Sequence, residues 1–236
     1  MEQYKKSYSF PNQFQQECLS FIKSLVDLSS SVFYLIAPDM LHRAVAVDNQ
    51  DPNIEKIYQQ DFCSMDPLNP SKFSATDDRV VTLDSQIKPS MLRQTIYYQD
   101  FMVPNNHRYV ADMFFRSEGE IIAVMSLLRE ESMGDYTAEE LALLRNLQPF
   151  LEYTLNRVYL PKRVGQRQLM EEKFGLTARE LDVVELLVGG ANNKVIASEL
   201  ALGLPTVKTH IQHIYRKTGV SSRSELLSTL LANFNG

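Results

Sequence analysis

The chain has 236 residues, 44% of them hydrophobic, and a net charge of −5, which suits one large domain or two smaller ones with real cores. Its two cysteines, Cys18 and Cys63, are too few for a disulfide framework or a cysteine-based zinc site. No apolar run approaches a membrane span and the opening MEQYKKSYSF lacks a signal-peptide apolar region, so a soluble cytoplasmic protein with no membrane association is expected.

Residues 11–28 predict an amphipathic helix with Phe14, Cys18, Phe21, Leu25 and Leu28 on one stripe and Ile22 beside it. Cys18 reads there as a small core hydrophobe. SVFYLIA (31–37) and MLHRAVAV (40–47) predict two strands joined at Pro38-Asp39. A helix over Asn53 to Phe62 follows, then the turn residues around Asp66-Pro67, a strand at VVTL (80–83) and a helix over residues 90–101 that stops at Val103-Pro104. RYVADMFFRS and EIIAVMSLLRE predict a hairpin turning at Glu118-Gly119. The order α-β-β-α-β-α-β-β is followed by a long helix from Thr137, where Thr137 and Glu140 make a capping box. Pro149 is expected to kink or break that helix. Pro, Gly and mixed charge over Tyr159 to Phe174 place the interdomain linker there, at 161–175.

The last region predicts four helices. Thr177 and Glu180 make a second capping box, with Leu181, Val184, Leu187 and Val188 on the core stripe and Gly189-Gly190 at the end. A short helix covers Lys194 to Ala201, with Ile196, Ala197 and Leu200 facing inward. Leu204 to Thr218 follows, with Val207, Ile211, Ile214 and Thr218 at the spacing of one buried stripe. Its other side carries Lys208, Thr209, Gln212 and Arg216, with no carboxylate, a face that suits the DNA major groove. Gly219 is expected as a left-handed C-cap. Ser222 and Glu225 make a third capping box, opening a helix with Leu226, Leu227, Leu230, Leu231 and Phe234 exposed along one side. Two short helices across a tight turn, with supporting helices, are the helix-turn-helix plan. Charge agrees: residues 1–160 carry 14 Lys+Arg against 22 Asp+Glu, and residues 161–236 carry 10 against 7.

LTARE at 176–180, Gly190-x-x-Asn193-Lys194-x-Ile196-Ala197, Thr206-Val207-Lys208-x-His210, Ile214-Tyr215-x-Lys217 and Gly219-Val220 with Arg223 together resemble the DNA-binding domain of LuxR-type transcriptional regulators. The chain departs from that family at Gly203, where a Ser usually caps the recognition helix; Gly costs only a few tenths of a kcal/mol there, and Pro205 is tolerated in the first turn. The resemblance implies that Lys208, Thr209 and Gln212 face base edges, and that Thr206, Asn193, Lys194, Arg216, Lys217 and Arg223 contact phosphates or position the domain. It also implies a homodimer on double-stranded DNA, with the leucine-rich last helix serving dimerisation, core cover or both. His210 and His213 lack a third ligand, so no metal and no cofactor are expected.

Gly119-Glu-Ile-Ile-Ala-Val, Arg129 and the leucine pattern from Glu139 to Pro149, with Tyr98-x-Asp100-Phe101-x-x-Pro104, are similar to the end of GAF-like sensor domains of such regulators. That implies an α+β chain: an N-terminal α/β/α sandwich on an antiparallel sheet over 1–160, GAF/PAS-like in kind, then a four-helix LuxR-type domain over 176–236. The segment Tyr58 to Asp66-Pro67 is similar to the signal-binding segment of quorum-sensing LuxR proteins, with Asp66 at the aspartate that receives the signal's amide N–H. Yet the chain has no tryptophan, and that family's pocket Trp falls on Asn53 and a pocket Tyr on Ile57. A shared scaffold with another ligand, or with none, follows. Tyr58, Phe62, Asp66, Tyr97 and Phe101 are the candidate ligand residues. Two functions stand: a dimeric regulator tuned by an unidentified small-molecule effector, or a ligand-independent one whose first domain is a filled interaction or dimerisation module. An enzyme is not expected, because residues 1–160 hold no nucleophile elbow, phosphate loop or catalytic constellation, and their histidines, His42 and His107, are isolated in the sequence.

Overall fold

The structure, a computed structural model, describes residues 13–36, 42–188, 190–200 and 202–234. The expected turn at Pro38-Asp39, the start of the first helix, the stop at Gly189 and the helix end at Ala201 lie outside the described residues. The chain divides into two compact units at Arg157/Val158. No helix among the described residues is long and apolar enough to cross a membrane.

The first unit is an α/β/α sandwich. Helix α1 (Gln13–Lys23) precedes strands β1 (Ser30–Ile36) and β2 (His42–Asp48). Helix α2 (Pro52–Ile57) runs into a π-helical turn, Tyr58–Phe62. Strand β3 (Val80–Thr82), short helices α3 (Leu83–Gln86) and α4 (Pro89–Leu92) and a π-helical segment, Tyr97–Met102, come next, then strands β4 (Tyr109–Ser117) and β5 (Glu120–Arg129) and helix α5 (Ala138–Thr154). The five strands form one antiparallel sheet in the order β2-β1-β5-β4-β3. Both central residues of the β4–β5 turn have positive φ, 53° at Glu118 and 91° at Gly119, the geometry that matches strand twist in a tight hairpin.

The sheet is covered on both faces, so its strands read as nearly unbroken apolar runs. Phe33 and Phe115 stack at 5.2 Å on the face that meets α1 and α5, where Gln15 and Gln148 donate to the carbonyls of Phe33 and Phe114. Val32, Tyr34, Val110, Phe114, Val124 and Leu128 alternate onto the other face, among Tyr58, Leu92, Tyr97 and Phe101.

Three expectations change here. Helix α1 ends at Lys23, and its buried apolar residues are Cys18, Leu19 and Ile22; Phe21 is 44% and Leu25 42% exposed. The helix is too short to carry a stripe to Leu28. Cys18 is buried, and burial pushes its thiol up to about 12, so it packs as a hydrophobe. The helix expected over residues 90–101 is broken, because Leu92 closes α4 and a wider π-helical turn carries Tyr97, Phe101 and Met102 into the core. Helix α5 also runs through Pro149. Leu144, Gln148 and Leu151 are buried on the sheet side, and this packing outweighs the single lost backbone bond. Its capping box forms as expected: Thr137 N–H donates to Glu140 at 2.8 Å and Glu140 N–H donates to Thr137 at 3.2 Å.

The second unit is helical: α6 (Leu160–Phe174), α7 (Ala178–Val188), α8 (Asn193–Glu199), α9 (Leu204–Thr218) and α10 (Arg223–Phe234). The segment 161–175 lies in α6 and its left-handed C-cap Gly175, not in irregular chain. Pro161 falls in the first turn, where it costs no intrahelical donor. Met170 of α6 joins Leu181, Val184, Leu187, Ile196, Val207, Ile211 and Ile214 in one core. Leu226 and Leu230 of α10 are 0% and 1% exposed in that same core. They are therefore not the exposed leucines expected, because the small domain consumes them for itself; the side chains of Leu231 and Phe234 lie outside the described residues.

Candidate functional sites

The face of α9 follows from how the helix is held. Val207 and Ile214 are fully buried and Ile211 nearly so, which turns Lys208, Thr209, Gln212 and Arg216 outward, all four exposed. Gly203 is the N-cap with extended backbone and no side-chain cap bond, and Gly219 closes the helix with φ 71°. Val220 N–H donates to the Tyr215 carbonyl at 3.0 Å, completing the C-terminal stop. Thr209 Oγ1 donates to the Pro205 carbonyl at 3.0 Å, so its hydroxyl offers a neighbour only acceptor lone pairs and a methyl group.

The other expected DNA residues divide by environment. Thr206 and Lys194 are exposed and Asn193 is half-buried at the start of α8, where Asn192, not singled out from the sequence, caps the helix by accepting from Lys194 N–H and Val195 N–H. Lys217 and Arg223 are engaged inside the domain. Lys217 Nζ donates to the Gly175 carbonyl at 2.8 Å and to Glu180 at 2.7 Å. The Arg223 guanidinium donates to the carbonyls of Leu187, in the last turn of α7, and of Ala191, beyond its end. Glu180 also caps α7, accepting from Thr177 N–H at 2.8 Å. Although burial opposes it, the bonds from Lys217 and Thr177 hold its carboxyl below the usual range. The third capping box is offset by one residue: Ser222 accepts from Glu225 N–H, but Glu225 accepts from Ser221 N–H.

In the first unit a cavity of about 50 Å³ lies between the sheet and the helical turns above it, room for roughly four water molecules. Tyr58, Asp66, Tyr97 and Phe101 line it; Phe62 does not, and stacks behind Phe101 at 5.1 Å. The π-helical turn brings Tyr58 back over Asp66, whose carboxylate accepts from Tyr58 Oη at 2.8 Å, Leu68 N–H at 2.8 Å and the Tyr97 hydroxyl. Burial still raises the Asp66 pKa above the ordinary value, against these bonds.

Tyr34, Gln50, Glu55, His107, Asp112 and Ser126 also line the cavity and were missed from the sequence. Asp112 sits on β4 opposite Ser126 of β5 and is 3% exposed. Ser126 is its hydrogen-bond partner, and Oδ1 has none. Burial, then the charge of Asp66, lifts its pKa well above the carboxylate range. Gln50 Oε1 is likewise buried and unpartnered. His42 is not isolated in space: its ring stacks on Tyr34 at 3.6 Å and Nδ1 lies 2.5 Å from Glu55 Oε1. His107 is buried edge-on to Phe101, and burial lowers its pKa to about 4. The signal for Asp112 was an acidic residue in phase with Val110 and Phe114 in a strand apolar on both faces.

Comparison with known proteins gives the family. Residues 175–230 match the bacterial regulatory proteins of the luxR family. The chain is 33% identical over 215 residues to the monoamine regulon transcriptional regulator of Klebsiella aerogenes, covering 89% of this chain and 87% of that one. It belongs to the LuxR family of transcriptional regulators. This is a family of regulators rather than of enzymes. Among solved structures the chain is similar to Escherichia coli SdiA, with 14% identity, 96% of this chain and 92% of that chain covered and a TM-score of 0.41. It is also similar to CepR2 of Burkholderia cenocepacia, an N-acylhomoserine-lactone-dependent LuxR-family factor, with 19% identity, 61% and 80% covered and a TM-score of 0.44.

Proposed function

We propose that this LuxR-family regulator acts as a homodimer on double-stranded DNA, with residues 1–160 as its sensor, 161–175 as the connecting helix and 176–236 as the DNA-binding domain. The exposed, carboxylate-free face of α9 carries this reading. Lys208, Thr209 and Gln212 read base edges, and Thr206, Asn193, Lys194 and Arg216 meet phosphates. Lys217 and Arg223 position the domain through its own carbonyls and Glu180. Exposed Phe150 and Tyr153 on α5, 65% and 64% open, support self-association.

A small-molecule effector in the cavity at Tyr58, Asp66, Tyr97 and Phe101, with Phe62 backing Phe101, shifts the population of DNA-competent dimers. The open cavity, with the unpartnered Asp112 Oδ1 and Gln50 Oε1 on its wall, supports this over the alternative of a filled interaction module. The test is duplex binding by fluorescence anisotropy with Lys208→Ala and Gln212→Ala. Each is expected to lose about 1–3 kcal/mol of binding and relax sequence preference. Unchanged affinity and preference in both variants would remove α9 from the role of reader. Rising salt is expected to weaken binding steeply.

A further inference from the structure

We propose that the cavity of the first unit takes a small organic cation, a primary amine, with its ammonium group on Asp112 and its carbon skeleton among Tyr34, Tyr58, Tyr97 and Phe101. This rests on the sensor reading above and adds the chemical class of the effector.

The polar wall of the cavity is rich in acceptors and poor in free donors. Asp112 Oδ1 and Gln50 Oε1 are buried without partners. Two further carboxylates, Glu55 and Asp66, face the same space. Several donors nearby are committed: the Tyr58 and Tyr97 hydroxyls to Asp66, Ser126 to Asp112, and His42 Nδ1 and Gln59 Nε2 to Glu55 at 2.5 and 3.1 Å. Among the described residues lining the cavity there is no Lys or Arg, and its one lining histidine, His107, is held neutral by burial.

A ligand that suits this wall brings donors and positive charge. An ammonium group has three N–H donors and no acceptor, and a buried carboxylate without a cation is costly until one arrives. The rest of the wall is aromatic: the rings of Tyr58 and Tyr97 each lie 5.6 Å from that of Phe101. Such faces attract both a cation and the carbons attached to it. The volume of about 50 Å³ sets a small ligand. An N-acyl lactone, by contrast, brings a single N–H beside its carbonyl oxygens, a poorer match to this wall than the three donors of an ammonium group.

Isothermal titration of the full chain with matched probes tests this: isobutylamine against isobutanol, phenethylamine against 2-phenylethanol, and hexanoyl-homoserine lactone as a third arm. At least one amine is expected to bind about tenfold or more tighter than its alcohol, and Asp112→Asn to remove that advantage, the size expected of one hydrogen bond to a charged group. Asn matches Asp in shape, and circular dichroism with retained DNA binding checks that the variant folds. The amine–alcohol comparison on the unaltered chain does not depend on any variant. Equal or tighter binding of an alcohol or the lactone would overturn the amine class and leave the sensor reading standing. Amine binding that Asp112→Asn leaves unchanged would overturn the assignment to Asp112. Failure of all five probes up to about 10 mM, an affinity of only a few kcal/mol, would overturn the amine class while DNA binding stays intact.

Discussion

The buried glutamates of the helical unit and Asp112 of the sandwich are held in opposite ways. In the helical unit Glu180 and Glu185 are 3% and 7% exposed, and each has a cation: Lys217 at 2.7 Å on Glu180, and Arg163 on both oxygens of Glu185 at 3.0 and 2.6 Å. In the sandwich Asp112 is as deeply buried, yet among the described residues no cation meets it and one oxygen has no partner. A carboxylate that finds its counter-ion within its own domain is part of the scaffold. One that does not is held at a cost in stability, and the proposal of a ligand at Asp112 rests on that cost.

Breaking the pairing in the helical unit gives the largest effect. Lys217→Met leaves Glu180 buried without its cation. A fully buried pair so broken loses about 3–5 kcal/mol; the Lys217 side chain is 29% exposed, so solvent screening reduces this to roughly 1–3 kcal/mol. The pH dependence has a definite sign. Glu180 is held below its usual range in the folded chain, so its contribution is present above the unfolded pKa of about 4.3 and is lost as pH falls through the folded value. Urea denaturation at pH 7 and at about pH 3 is expected to show the variant's deficit shrinking at the lower pH. A deficit of equal size at both would mean that Lys217 acts through packing and its bond to Gly175 alone.

Asp112→Asn makes the opposite change in the sandwich. The folded pKa of Asp112 is raised, so its contribution is fully present below the unfolded value of about 3.9 and is lost as pH rises. Asparagine removes that loss. The variant is expected to be more stable than the parent at pH 7 by about 1 kcal/mol, with the gain vanishing near pH 3. Chemical denaturation at the two pH values measures it. A destabilised variant at pH 7 would place Asp112 with Glu180, as scaffold, and erase the contrast.

Legibility in the sequence followed the same division. The helical unit announces itself through local signals: capping residues at Thr177 and Ser222, Gly219 at a left-handed stop, and a stripe of Val207, Ile211 and Ile214. Each needs only a few neighbouring residues. The strands were also visible, since period-two alternation is local, and the tight turn at Glu118-Gly119 was readable for the same reason. What escaped depends on distance along the chain. His42 meets Glu55 across 13 residues, and Arg129 of β5 reaches the Asp27 carbonyl across 102. Leu226 and Leu230 looked like a free face because a periodic stripe does not say whether its partner is another copy or the same domain. Asp66 was found by likeness and Asp112 was not, because strand spacing shows that a side chain points inward without showing that it meets an open space.

The smallest change concerns an unpaired group that water can reach. The start of α9 lacks a side-chain cap, since Gly203 offers none. Its backbone is at φ −71° and ψ 147°, the extended conformation a serine cap adopts. A Cβ placed there would meet Pro205 Cδ at 3.6 Å and Thr206 Oγ1 at 3.8 Å, ordinary contacts. Gly203→Ser is therefore expected to stabilise the chain by a few tenths of a kcal/mol in urea denaturation, its hydroxyl accepting from an N–H of the first turn. Gly203 and Thr206 are exposed, so an N–H there is open to hydration without a cap and gains little from one. A gain as large as that expected for Asp112→Asn would mean that burial does not set the scale of these two effects.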